Sequence, residues 1–184
     1  MNYNFTQKNK IVCFVLIAIG VISIAASFIT GSHQVWSNLL MSNFYFLAIA
    51  LGATFFLSVQ YVAEVGWSVV IKRVLEAMGQ WLLFAMAIML VIFLFGKHHL
   101  YHWTHEELYD PNSPAYDEIL VGKSGFLNQT FFLVRMVLYA IIWIGFTKLL
   151  RKESLAMEVG GLVHYQRNSK YAATFLVLFA IGSH

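Results

Sequence analysis

The stretch KNKIVCFVLIAIGVISIAASFITGSHQVWS, residues 8–37, decides the fold. Lys8 and Lys10 stand immediately before the uncharged run 11–30, and no further lysine or arginine follows until Lys72. A helix over that run is about 30 Å long, the thickness of a bilayer's hydrocarbon core. The apolar part is longer than a signal peptide's, and its exit, Thr30-Gly31-Ser32-His33, is not a small-x-small cleavage pattern. The run therefore reads as a retained transmembrane helix that begins next to a basic, cytoplasmic-type flank.

Working outward, three more apolar runs of membrane length occupy residues 38–64, 77–96 and 130–147. Only 11% of the chain is charged, 59% is hydrophobic and mean hydropathy is +0.68, far from the balance of an ordinary water-soluble domain. The fold class is all-α, a polytopic transmembrane helix bundle. Residues 1–150 form four transmembrane helices with an external loop at 97–129, residues 151–170 a cytoplasmic loop, and residues 171–184 the start of a fifth transmembrane helix cut short.

The basic residues set the orientation. Lys8, Lys10, Lys72, Arg73, Lys148, Arg151, Lys152, Arg167 and Lys170 fall on one side, and only Lys97 and Lys123 on the other. By the positive-inside rule the N-terminus is cytoplasmic and 97–129 external. The net charge of +3 comes from helix ends, where orientation explains it, so the composition excludes nucleic acid as a partner in favour of membrane lipid. The lone cysteine, Cys13, has no partner for a disulfide or a thiolate metal site. Motifs for nucleotides, c-type haem, iron–sulfur clusters and hydrolytic nucleophiles are missing.

Small residues of the first helix, among them Ala18, Gly20, Ser23, Ala25, Ala26 and Ser27, predict close packing against a neighbouring helix. In the second, Thr54, Ser58 and Tyr61 recur at i, i+4 and i+7 and predict a polar stripe facing protein. Residues 66–76 read as an amphipathic lead-in to the third helix, with Arg73, Glu76 and Gln80 on one face. Glu64 and Glu76 flank the cytoplasmic loop. A carboxylate backed by hydroxyls is the pattern by which protons enter membranes, so Glu64, Arg73, Glu76, Tyr61, Ser58 and Thr54 form a candidate proton path.

On the other side the third helix is expected to continue through KHHLYHWTHEE, putting His98, His102 and His105 on one face beside His99. Three readings stay open: interfacial histidines that meet a partner subunit, structural metal or haem ligation, and quinone or proton chemistry. The sequence supplies no completing ligand set, so no metal is assigned. Arg135 lies inside the fourth apolar run, with Asn128 and Tyr139 on its face. A cation there costs about 2.5–3.5 kcal/mol on insertion scales and must be paired, snorkel or face a wet cavity. His98, His99, His102, His105, Arg135 and Tyr139 are the candidate quinol or partner contacts.

Three segments together resemble one family. QYVAEVGWSVVIKRVLEAMG at 60–79, HHLYHWTH at 98–105 and GKSGFLNQTFFLVR at 122–135 are similar to the NrfD/PsrC-like membrane subunits of bacterial alternative complex III, a quinol:cytochrome c oxidoreductase. The best resemblance is to the F subunit, the smaller of the two, as it occurs in Bacteroidota. It implies a multi-pass protein of the bacterial inner membrane, with loop 97–129 periplasmic and only the family's first four-helix bundle present. It also implies that this chain holds no redox cofactor itself. Quinol would be bound by a homologous membrane subunit, and haem c and iron–sulfur clusters carried by periplasmic partners. The function expected is a non-catalytic subunit that supports assembly and contributes a proton path. The alternatives are direct quinol binding by this chain and a self-contained transporter or channel.

Overall fold

A computed structural model describes residues 6–30, 34–111 and 113–182, with the backbone alone over 158–160. The Gly31-Ser32-His33 exit and the last two residues of the fifth segment lie outside the described residues. Among the described residues seven α-helices follow one another: α1 Gln7–Ile29, α2 Val35–Val62, α3 Lys72–Gly79, α4 Leu82–Leu100, α5 Glu118–Gly122, α6 Gln129–Gly160 and α7 Leu162–Gly182. Short 3₁₀ turns at Gly66–Val70, His102–Thr104 and Glu106–Leu108 complete the connections, and no strand occurs among the described residues. Four segments are long and apolar enough to cross a membrane: α1, α2, α3 with α4, and α6 to Met157. The chain is an all-α membrane protein.

The packed core is made by α2, α4, α6 and α7, each antiparallel to its neighbours. Asn43 Nδ2 donates to the Ala85 carbonyl at 3.0 Å, tying α2 to α4. Phe93 stacks on Phe132, ring centroids 4.8 Å apart, to join α4 and α6. Asn168 Nδ2 donates to the Leu150 carbonyl at 3.2 Å between α6 and α7. Lipid is as apolar as leucine, so such helices associate by close packing and hydrogen bonds more than by expulsion of water. Small residues accordingly occupy the contacts: Ala50, Ala53, Ala85 and Ala172 are all buried. At Gly79, Gly96 and Gly182 the approach is closer than a methyl group allows. A Cβ on Gly96 would stand 2.6 Å from the Trp36 ring, and one on Gly79 would stand 2.9 Å from Thr54 Oγ1.

Three features differ from the sequence expectations. First, α1 has no buried residue and touches the bundle only near its end, where Phe28 meets Trp36 edge-on at 5.1 Å. Its small residues do not seat it in the core, and Ser23 and Ser27 donate to carbonyls of their own helix, those of Ile19 and Ser23. The fourth wall of the bundle is α7 instead. Second, residues 151–170, expected as a loop, are helical on both sides of a turn at Gly161, and α7 begins at Leu162 rather than Tyr171. Gly161 takes φ +60°, ψ −131°, a conformation open essentially to glycine alone.

Third, the third transmembrane segment does not continue through the histidines. It ends at Leu100, where Tyr101 turns extended at φ −117°, ψ 105°. Thr104 folds back on that end, its hydroxyl 2.7 Å from the Tyr101 carbonyl and 3.3 Å from the Lys97 carbonyl, which also accepts the Tyr101 amide at 2.8 Å. The same segment tightens at Gln80 and Trp81, whose amides bond three residues back to Ala77 and Met78. Residues 101–111 and 113–128 form a cap over one end of the bundle. The opposite, basic end carries Lys72, Arg73, Lys148, Arg151 and Lys152.

Candidate functional site

Near the basic end a row of polar side chains is built into the core. Thr54, Ser58 and Tyr61 of α2 are 2%, 0% and 6% exposed, so the i, i+4, i+7 stripe does face protein. Ser58 donates to the Thr54 carbonyl at 2.8 Å, and the Thr54 and Thr147 hydroxyls meet at 3.2 Å. Above this row α3 contributes the expected ion pair: Arg73 Nη1 to Glu76 Oε2 is 2.7 Å. Gln80 Nε2 donates back to the Glu76 carbonyl at 3.3 Å. Glu76 is 4% exposed while Arg73 keeps one edge in solvent, so the arginine carries the buried carboxylate's counter-charge in from the surface.

Residues from the supposed loop close the row. Arg73 Nη1 reaches Ser154 Oγ at 3.4 Å, and Ser154 and Asn168 are both fully buried. Among the described residues the Tyr61 hydroxyl, Glu76 Oε1 and Asn168 Oδ1 are buried without a hydrogen-bond partner, although Tyr61 faces Ser154, Asn168, Glu76 and Arg73. Buried polar atoms in such proximity are the lining that ordered water occupies. Beside them His164 Nδ1 stands 2.6 Å from Glu153 Oε2 across the α6–α7 turn. Reading 151–170 as a loop hid Ser154, Glu153, Asn168 and His164. Two spacings could have revealed this face: Thr147 and Ser154 at i, i+7, and Asn168, Ala172 and Phe175 at i, i+4, i+7.

Glu64 does not join this row. It sits exposed in the turn after α2 at φ +51° and makes no side-chain hydrogen bond among the described residues. A turn, not a polar stripe, determines its position.

At the cap end the histidines stay close without sharing a helical face. The rings of His98 and His105 are 5.7 Å apart and those of His102 and His105 are 6.0 Å apart. His105 Nε2 lies 3.0 Å from the His98 carbonyl, and His99 is exposed. Among the described residues no three metal-ligating side chains converge. The cap is held by other groups. Lys97 Nζ donates to Gln129 Oε1 at 2.6 Å, Gln129 Nε2 to the Thr104 carbonyl at 3.4 Å, and the Tyr109 hydroxyl to the carbonyls of Trp103 at 3.1 Å and Leu127 at 3.4 Å. Asn128 opens α6 as its N-cap, accepting from the Phe131 amide at 2.7 Å. Burial among the rings of Phe93, Trp103 and Phe132 raises the pKa of Tyr101.

Beneath the cap a groove of about 900 Å³ opens sideways between α2, α4 and α6. Met41 and Phe44, Met86 and Met89, and Tyr139 and Trp143 form its walls, and Arg135 lies at its cap end. Gly182 of α7 floors it against Tyr139, where a Cβ would come within 2.9 Å. The structure thus unites Arg135 and Tyr139 and separates both from the histidines, since Tyr101 and Phe126 line the groove and the imidazoles do not. No protein-family model matches the chain, and no curated protein matches it.

Proposed function

We propose that this chain is an integral membrane subunit of a respiratory quinol:cytochrome c oxidoreductase of the alternative complex III type. In this reading it packs against a homologous quinol-binding subunit and lends a proton path. The observation that carries the reading is that the three resembling segments build the polar structure at the two ends of the bundle, the buried row at one and the cap at the other. Segment 60–79 supplies Tyr61, Arg73 and Glu76 to the buried row. Segments 98–105 and 122–135, a connection apart in sequence, interlock through Gln129 on Thr104 and through Tyr109 on Trp103 and Leu127.

The proposed orientation puts the basic end in the cytoplasm and the cap in the periplasm of a bacterial inner membrane. The cap, with its histidines and acidic residues, is then the docking surface for iron–sulfur and multihaem cytochrome c subunits. The uncovered α1, apolar on every side, suits lipid or the homologous membrane subunit. Protons would enter past Arg73 to Glu76 and move along Tyr61, Ser58 and Thr54 through water, while Glu64 stays outside the route.

Solubilising the full chain from its native membrane tests this directly. Co-purification with a multihaem cytochrome and a large iron–sulfur protein is expected. Isolation with neither would defeat the proposal and favour a self-contained transporter. Cysteine labelling that placed residue 115 in the cytoplasm would overturn the orientation.

A further inference from the structure

Arg135 is a cation within the spanning helix α6. It sits six positions into α6, about 9 Å along the axis from Gln129. Its guanidinium lies 3.8 Å from the centroid of the Phe126 ring, which precedes the helix, so the side chain is directed up toward the level of the helix start. Phe131 and Phe132 also flank it, at 4.8 and 5.8 Å. Among the described residues it has no carboxylate and no hydrogen-bond acceptor. Aromatic faces attract the cation but leave its five N–H donors open. The open side is the groove, and its apolar walls run from that interfacial level toward the middle of the spans.

We propose that the groove is a phospholipid site, with the lipid phosphate on Arg135 and an acyl chain along Met41, Phe44 and Met89. Charge decides among occupants. A phosphate diester is an anion whose two free oxygens match the planar guanidinium fork, so binding cancels the uncompensated charge. A quinone presents only neutral carbonyls and would leave that charge in an apolar environment, which is costly. Depth points the same way, because the arginine head lies at the start of a spanning helix, where headgroups meet hydrocarbon. The site needs only a membrane and does not rest on the electron-transfer reading.

The test is to purify the full chain with its native partners, wash it extensively in detergent, reconstitute it in nanodiscs of phosphatidylethanolamine with phosphatidylglycerol, and count retained lipid by native mass spectrometry after release. One phospholipid that survives washing is expected, with retention about tenfold lower or worse in Arg135→Gln and intermediate in Arg135→Lys. Met41→Trp, which fills the groove from its exposed lip and leaves Arg135 in place, should also expel it, and this variant carries the test if Arg135→Gln does not accumulate. Inorganic phosphate added alone should neither bind nor compete. Equal retention in Arg135→Gln and Met41→Trp, an Arg135-dependent quinone in place of phospholipid, or binding of inorganic phosphate alone would each overturn the proposal.

Discussion

The hydroxyls of Thr54 and Thr147, 93 residues apart in the chain, meet at 3.2 Å directly beside Gly79. Three helices are thereby pinned at one depth, α2 and α6 by the hydroxyl pair and α3 by a glycine that has no side chain to interpose. Gly79→Ala would place a methyl group 2.9 Å from Thr54 Oγ1 and 3.0 Å from Thr147 Cγ2. It should destabilise the bundle by about 1–3 kcal/mol. Thr147→Val should cost roughly 0.6 kcal/mol, typical of a membrane side-chain hydrogen bond. Unfolding in mixed micelles of increasing denaturing detergent measures both, and a larger effect for Thr147→Val would contradict the steric account.

The Arg73–Glu76 pair is asymmetric, with the carboxylate buried and the guanidinium partly in solvent. Arg73→Ala strands a buried negative charge, whereas Glu76→Gln leaves an arginine that can turn outward. Arg73→Ala should therefore be the more harmful, by about 1–3 kcal/mol once solvent screening of the exposed arginine is allowed for. Adding Glu76→Gln to Arg73→Ala should recover most of the loss. A double-mutant cycle of detergent unfolding checks this, and additive losses would disprove the coupling.

Gly96 packs under the Trp36 ring, and Trp36 in turn provides the edge-on contact with Phe28 of α1. Gly96→Ala must displace the indole at a cost of about 1–3 kcal/mol, and the loss should be transmitted to α1. The expected signature is a shift in tryptophan emission together with faster proteolysis between α1 and α2. Unchanged proteolysis with a shifted emission would show that α1 is held by something other than this contact.

Tyr101, at the cap end beyond α4, has its pKa raised by burial. The sign follows from linkage: below the unfolded tyrosine's pKa of about 10 its contribution is fully present, and it is lost as pH rises through the higher folded value, because the unfolded state ionises first. Stability should fall with pH above about 10 in the wild type and less steeply in Tyr101→Phe. Alkaline unfolding monitored together with tyrosinate absorbance distinguishes the two, and parallel slopes would remove the effect.

What the amino-acid sequence reveals here depends on how local the cause is. The four long apolar runs, the inward stripe of Thr54, Ser58 and Tyr61, and the Arg73–Glu76–Gln80 row are properties of single helices, and each is found where its spacing places it. The partner of a helix is not a local property. The small residues of α1 suit close packing, yet α7 takes the place in the bundle, since Asn168, Ala172 and Phe175 offer it a buried face. The stop at Leu100 depends on Thr104 folding back, which periodicity does not encode. The candidate site was half legible for the same reason: α2 and α3 showed their polar residues, while Ser154 and Asn168 lay within a segment whose charges resembled a loop. The groove at Arg135 arises only from the assembled helices.

The single turn at Gly161 has a consequence for how the protein enters a membrane. The first turns of α7 are polar, with His164, Arg167, Asn168 and Lys170. Joined to α6 through one glycine at φ +60°, it can arrive as the second arm of a hairpin, with Asn168 already satisfied on Leu150 and His164 on Glu153. Partitioning is then set by the pair, and the polar arm is carried across by its apolar neighbour. Any side chain at position 161 would slow that pairing, so its penalty should be seen in the yield of inserted protein before it is seen in the stability of what has been inserted.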